Sequence, residues 1–211
     1  MSISKSLITI VTLAAAALAW SLPAFTGEEP GTAATKAGAK EGEAPTDVAA
    51  GNILLNPGLE EGEKTPASWT RGAEVDGVEY RWDRTLGQQG KASLCLNKTA
   101  NRYFPIAQWY QIVDRKPEGR TLKVSAQVKA EKASKAIIDV VFLDENSEWV
   151  IHEWVCYIGA KKPNDPPANH DWKEYSGTLK IPEKARKIQI GLQIYGPGKV
   201  WFDEVRAEYV K

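Results

Sequence analysis

Residues able to carry chemistry are few in this chain, and they are scattered. Of the two histidines, His152 is followed by Glu153, but no second His stands four residues on, as a zinc-binding helix requires. His170 falls in a loop of Pro, Asn and Asp residues. Cys95 and Cys156 have no paired C-x-x-C spacing that would hold a structural zinc. No G-x-S-x-G turn, phosphate-cradling glycine loop or dinucleotide fingerprint is present. The acidic pairs Glu60-Glu61 and Asp203-Glu204 suggest glycosidase carboxylates, yet neighbours on a strand point to opposite faces, so neither pair can flank one bond. A catalytic reading therefore lacks a nucleophile with its base, and the expectation is a non-enzyme. What the chain does have is eight Trp, a residue that serves cores and recognition faces.

The elements that must position these side chains are strands. Thr121 to Ala130 alternates, with Leu122, Val124, Ala126 and Val128 on one face and Gln127 on the other. Ala136 to Leu143 sets Ile138, Val140 and Phe142 against Ile137, Asp139 and Val141. Lys187 to Tyr195 sets Ile188, Ile190, Leu192 and Ile194 against Gln189, Gly191, Gln193 and Tyr195. Val200 to Tyr209 makes a last strand, and Ala107 to Val113 places Trp109 and Gln111 on one face with Tyr110 and Ile112 on the other. Turn residues punctuate the intervals, as in Pro117-Glu118-Gly119 and Gly196-Pro197-Gly198. No amphipathic helix of three turns is found. The fold class is all-β, an antiparallel β-sandwich of the jelly-roll kind.

Two segments precede this domain. Residues 1–24 read as a signal peptide: Lys5 supplies the positive start, Leu7 to Ala19 the apolar run, and Ala17-Leu18-Ala19 the small-x-small cleavage pattern. The run is shorter than the ~20 apolar residues that span a bilayer, so no membrane span is expected after cleavage, and the product is secreted, periplasmic or at the cell envelope. Residues 25–51, nearly all Ala, Gly, Glu, Thr, Pro and Lys, read as a flexible linker too poor in apolar surface to fold. The sandwich spans 52–211. With 27 Lys+Arg against 27 Asp+Glu, the 211-residue chain has no net charge to draw it to nucleic acid.

If the aliphatic faces are core, the opposite faces present amides and flat rings. Sugars offer C–H faces that stack on aromatics, and hydroxyls that donate and accept together, as Asn and Gln do. The motifs also carry a resemblance. Asn52 to Glu60 (NILLNPGLE) is similar to the N-L-L-x-N-P-G-F-E opening of carbohydrate-binding modules of the family 4/9/22 type, which have a galactose-binding-like jelly roll. Pro66 to Trp69, Gly87 to Leu96, Trp109 to Val113, Leu122 to Lys129, Phe142 to Asp144, Asp171 to Lys173 and Val200 to Val205 (VWFDEV) follow the family's later elements in order.

The resemblance implies a non-catalytic module that binds a poly- or oligosaccharide in a cleft on one sheet, with Trp109, Gln111, Gln127, Asp139, Gln193 and Tyr195 as contacts. It makes Trp69, Trp172 and Trp201 core residues, and Trp149 and Trp154 are candidates for the cleft edge. It also implies a structural calcium held by Glu60, Asp203 and the carbonyls of Gly58, Gln88 and Lys91, an oxygen set suited to a hard cation. Cys95 and Cys156 can pair or stay free. The alternative is a structural or protein-interaction jelly roll at the cell envelope with no sugar ligand.

Overall fold

A computed structural model describes residues 51–162 and 164–210. The predicted signal peptide and all of the linker except Gly51 lie outside the described residues. The strands are β1 (Thr70–Arg71), β2 (Val78–Asp83), β3 (Ser93–Lys98), β4 (Ala107–Val113), β5 (Thr121–Ala133), β6 (Lys135–Leu143), β7 (Trp149–Gly159), β8 (Ala168–Lys180), β9 (Lys187–Ile194) and β10 (Gly198–Val210). They form two five-stranded sheets, ordered β1-β4-β9-β6-β7 and β2-β3-β10-β5-β8. All strand pairings are antiparallel. Among the described residues no helix is long and apolar enough to cross a membrane.

The inner faces meet as the alternation requires. Ile188, Ile190, Leu192 and Ile194 of β9 and Ile138, Val140 and Phe142 of β6 join Leu94 and Leu96 of β3, Leu122, Val124 and Val128 of β5, and Val200 and Phe202 of β10 in one buried cluster. Fully burying a side chain of this size contributes about 1.5–3 kcal/mol, so this layer is what holds the sandwich closed. β6 is buried on both faces along most of its length, which explains why it reads as a near-continuous apolar run.

The opening motif acts as a clasp. The Asn52 side chain donates to the Val205 carbonyl (3.1 Å) and accepts from Ala207 N–H (2.9 Å), tying the first described residues to β10. Asn56 adopts φ 47°, a left-handed turn conformation that Asn tolerates better than most residues. Its amide bonds to Glu61 and to the Ala67 carbonyl, and its own carbonyl accepts the Trp69 indole N–H at 3.1 Å.

Two of the three predicted core indoles are placed differently. Trp69 is buried in the central cluster. Trp201 is buried too, but on the outer side of its sheet: Val200 and Phe202 point inward, so period two turns Trp201 out. There its N–H reaches Asp83 Oδ2 (3.1 Å) and the Lys199 ammonium lies 4.4 Å from its ring centre. Trp172 is only half-buried, on β8 at the sheet edge, outside the core. Cys95 on β3 and Cys156 on β7 belong to different sheets and are free thiols. Burial pushes both up to about 12.

Candidate functional site

The outer face of the β1-β4-β9-β6-β7 sheet carries three rows of side chains across four strands. Register sets Ile112, Gln189, Val141 and His152 in one row, Tyr110, Gly191, Asp139 and Trp154 in the next, and Gln108, Gln193, Ile137 and Tyr157 in the third. At the middle of the floor is Gly191. A Cβ added there would come within 3.1 Å of Gln108 Oε1 and 3.3 Å of Asp139 Oδ2. The glycine thus lets the Gln108 and Asp139 side chains close over the strand between Tyr110 and Trp154, which stand three strand spacings apart, about 14 Å.

A chain of polar contacts runs through this floor, with one residue from each of four neighbouring strands. Gln193 Nε2 donates to Gln108 Oε1 and to Asp139 Oδ2, both at 3.0 Å, and Asp139 Oδ1 meets His152 Nε2. Burial pushes the Asp139 carboxyl up to about 6, against the pull of His152. Gln193 is itself buried, and its Oε1 has no hydrogen-bond partner. A buried acceptor left without a donor costs about 1–3 kcal/mol, a cost borne at Gln193 within the relay.

The wall is aromatic. Along β7 the ring centres of Trp149 and His152 are 5.6 Å apart, those of His152 and Trp154 5.8 Å, and those of Trp154 and Tyr157 5.8 Å. Trp149 and Trp154 are 71% and 45% exposed, values unusual for indoles that serve a core. Period two alone would split these four residues between faces. Two register shifts in the β6–β7 pairing, between Ile138 and Asp139 and between Phe142 and Leu143, bring all four onto one side. At one end the wall closes into a cavity of about 480 Å³ lined by Tyr103, Phe104, Lys135, Trp154 and Tyr195. Behind it, the buried Lys98 ammonium donates to the carbonyls of Tyr103 (3.2 Å) and Pro105 (2.7 Å), which fixes the loop that presents Phe104.

Of the six expected sugar contacts, the structure brings three together. Asp139 and Gln193 lie in the floor, and Tyr195 follows β9 at its closed end. Trp109 and Gln111 require correction. They share the inward face of β4 with Ala107 and Val113, and Trp109 is in the core. Gln111 points the same way, and its amide pairs with the Leu55 backbone at 2.8 and 2.9 Å. Gln127 also requires correction. It lies on the outer face of the other sheet, in a charged hollow of about 360 Å³ beside Lys123, Glu174, Glu204 and Arg206. Sequence reading missed Gln108, His152 and Tyr157 as members of this face, and set Tyr110 and Ile112 opposite the expected contacts Trp109 and Gln111.

The positions expected to hold calcium form a different structure. Asp203 Oδ2 accepts the backbone N–H groups of Gln88 (2.6 Å) and Gln89 (3.2 Å), and Oδ1 accepts that of Glu204 (2.7 Å). Glu60 Oε1 accepts those of Lys91 and Ala92, both at 2.7 Å. Gly90, at φ +71°, passes so close to Glu60 that a Cβ would collide with its carboxylate. Gly58 lies beside the Glu204 carboxylate. Both expected carboxylate ligands thus face amide donors, which satisfy anions, where a hard cation would need further oxygens. Among the described residues no group of three or more His, Cys, Asp or Glu converges on a metal-sized site. The donor set does not fit calcium as it is arranged.

No protein-family profile matches the chain, and no curated protein matches it. Many solved structures do. A xylan-binding domain from CBM 22 superposes at TM-score 0.52 with 12% identity, covering 76% of this chain and 96% of that one. The tandem CBM22-1–CBM22-2 domain of Paenibacillus barcinonensis Xyn10C gives TM-score 0.52 at 19% identity, over 80% of this chain and 49% of that one. A Stig cyclase from Fischerella sp. TAU gives 0.51 at 15%, over 74% and 96%. The enzymatically active domain of the bacteriophage CBA120 tailspike protein 4 gives 0.52 at 18%, over 75% of this chain and 21% of that one, so the chain spans about a fifth of that protein. In fold, the chain resembles carbohydrate-binding modules with the galactose-binding-like jelly roll. The cyclase has the same fold, so the fold alone does not assign a function.

Proposed function

We propose that this chain is an exported, non-catalytic carbohydrate-binding module that takes a poly- or oligosaccharide along the outer face of β4, β9, β6 and β7. The observation that carries the proposal is the pairing of a solvent-facing ring wall with an amide floor. Trp149, Trp154, Tyr157 and Tyr110 offer stacking surfaces to sugar C–H faces. Gln108 and His152, both partly exposed, offer donors and acceptors to hydroxyls, held in place by the buried Gln193 and Asp139. Export rests on the charged start at Lys5, the apolar run Leu7 to Ala19 and the cleavage pattern after it. The similarity in fold to the CBM 22 xylan-binding domain supports the same reading.

The test is titration of the purified protein with xylohexaose and β-1,4-galactotriose, followed by calorimetry. Saturable binding to at least one is expected. Trp154→Ala should weaken it roughly tenfold, the loss of one well-placed stacking ring, with little change in melting temperature because Trp154 is half outside the packed layer. Failure of these and of a wider neutral and acidic glycan panel would leave the structural or protein-interaction jelly roll as the reading.

A further inference from the structure

One end of the ring-lined face is cationic, although the chain as a whole has no net charge. The cavity formed there by Tyr103, Phe104, Trp154 and Tyr195 is also lined by Lys135, Lys161 and Lys162. The half-buried Lys135 ammonium stands 5.3 Å from the ring centres of both Tyr157 and Tyr195 and 5.7 Å from that of Trp154. The Lys161 ammonium stands 5.6 Å from that of Tyr157. Among the described residues none of the three ammonium groups forms an ion pair with a carboxylate, whereas Lys129 and Lys187 do. The acid nearest in sequence, Asp165, uses Oδ2 on the backbone N–H groups of Lys161 (3.0 Å) and Lys162 (2.7 Å). The buried Lys98 adds a further positive charge behind the same wall, with carbonyls as its acceptors. Asp139, the acid of the floor, lies four residues along β6 from Lys135, about 13 Å away, and is engaged by His152.

Ring faces attract a cation but carry no charge to neutralise it. A half-buried ammonium held only by rings therefore keeps its full attraction for an anion, in surroundings where that attraction exceeds its value in bulk water. We infer that the Lys135–Lys161–Lys162 end of the face receives an anionic saccharide unit, bearing a carboxylate or a sulfate ester, whose ring stacks in the cavity of Tyr103, Phe104, Trp154 and Tyr195. This inference rests on the sugar-binding reading above and adds to it the charge class of the ligand.

Matched ligand pairs separate charge from ring shape. Hexagalacturonate is compared with its fully methyl-esterified form, and low-mass dextran sulfate with dextran of equal length, with xylohexaose as an unrelated neutral sugar. The expected result is at least one charged member bound about tenfold more tightly than its neutral partner at 25 mM NaCl. That advantage should shrink several-fold at 250 mM, as screening requires. The pair that shows it assigns the anion as carboxylate or sulfate, and an advantage in both assigns the shared charge. In Lys161→Gln/Lys162→Gln, and separately in Lys135→Gln, the charged-to-neutral affinity ratio should fall towards one. Equal affinity within both pairs, or a charge advantage unmoved by these substitutions, overturns the inference while neutral binding keeps the sugar module. Absence of binding to every ligand overturns both.

Discussion

At the scale of single residues, Trp109 shows how a strand can mislead. Both faces of Ala107–Val113 carry an aromatic and an amide, so alternation separates Trp109 and Gln111 from Tyr110 and Ile112 without saying which pair is inside. The small and branched ends, Ala107 and Val113, share the parity of Trp109, and the structure packs that set against the other sheet. Trp109→Ala should therefore cost about 3–5 kcal/mol, the range for a large aromatic removed from a core, measured by urea denaturation. A loss below 1 kcal/mol would return the indole to the surface. Asn52, Asn56 and Trp69 were legible for the opposite reason. Their contacts are local or run to a strand end, so the opening motif alone carries them. The Asp139–His152 contact was not legible, because it crosses a hairpin and depends on its register.

That register belongs to the scale of elements. The strands were readable wherever one face is apolar: β5, β6, β9 and β10 lie where alternation puts them, with β5 running on past Ala130 to Ala133. In β7 a strand beginning near Val150 was readable but its facing was not, because its aromatic residues stand at intervals of three, two and three, a spacing that matches neither strand nor helix. The two shifts against β6 skip Val150 and Val155. Such bulges re-aim side chains and also blunt an exposed edge strand against pairing with another chain. Deleting Val155 should remove one of these shifts yet keep Trp154 on the same side as Tyr157, since the two then stand two residues apart and plain alternation does what the bulge did. Sugar affinity should be retained in the deletion and in Val155→Ala alike. Circular dichroism confirms that both variants are folded, and a folded deletion variant that loses affinity would refute the alignment of the rings as the role of the bulge.

At the scale of the whole molecule, the two sheets carry outer faces of different character, rings and amides on one and mixed charges on the other. Each buries a carboxylate under tension: burial pushes Asp139 and Asp203 up to about 6 from an ordinary 3.8. A folded-state value above the unfolded one means that the native state binds more protons between about pH 4 and 6. The stabilising contribution of each is fully present below about pH 4 and is lost as pH rises through 6. Asp83 works the other way. Although burial opposes it, hydrogen bonds from Thr85 and Trp201 and the Arg81 charge hold it below its ordinary value, so its contribution is lost on acidification. Thermal melts from pH 4 to 7 should show the wild type losing melting temperature relative to Asp203→Asn as pH rises. Parallel profiles would show that Asp203 titrates normally.

The side-chain relay from Gln108 through Gln193 and Asp139 to His152 has a mechanical consequence. Backbone ladders join each strand to its immediate neighbours, and this relay adds a second seam of side-chain contacts between the same neighbours across β4, β9, β6 and β7. Those four strands should therefore open as one unit, with slower and more concerted amide exchange than the two-residue β1.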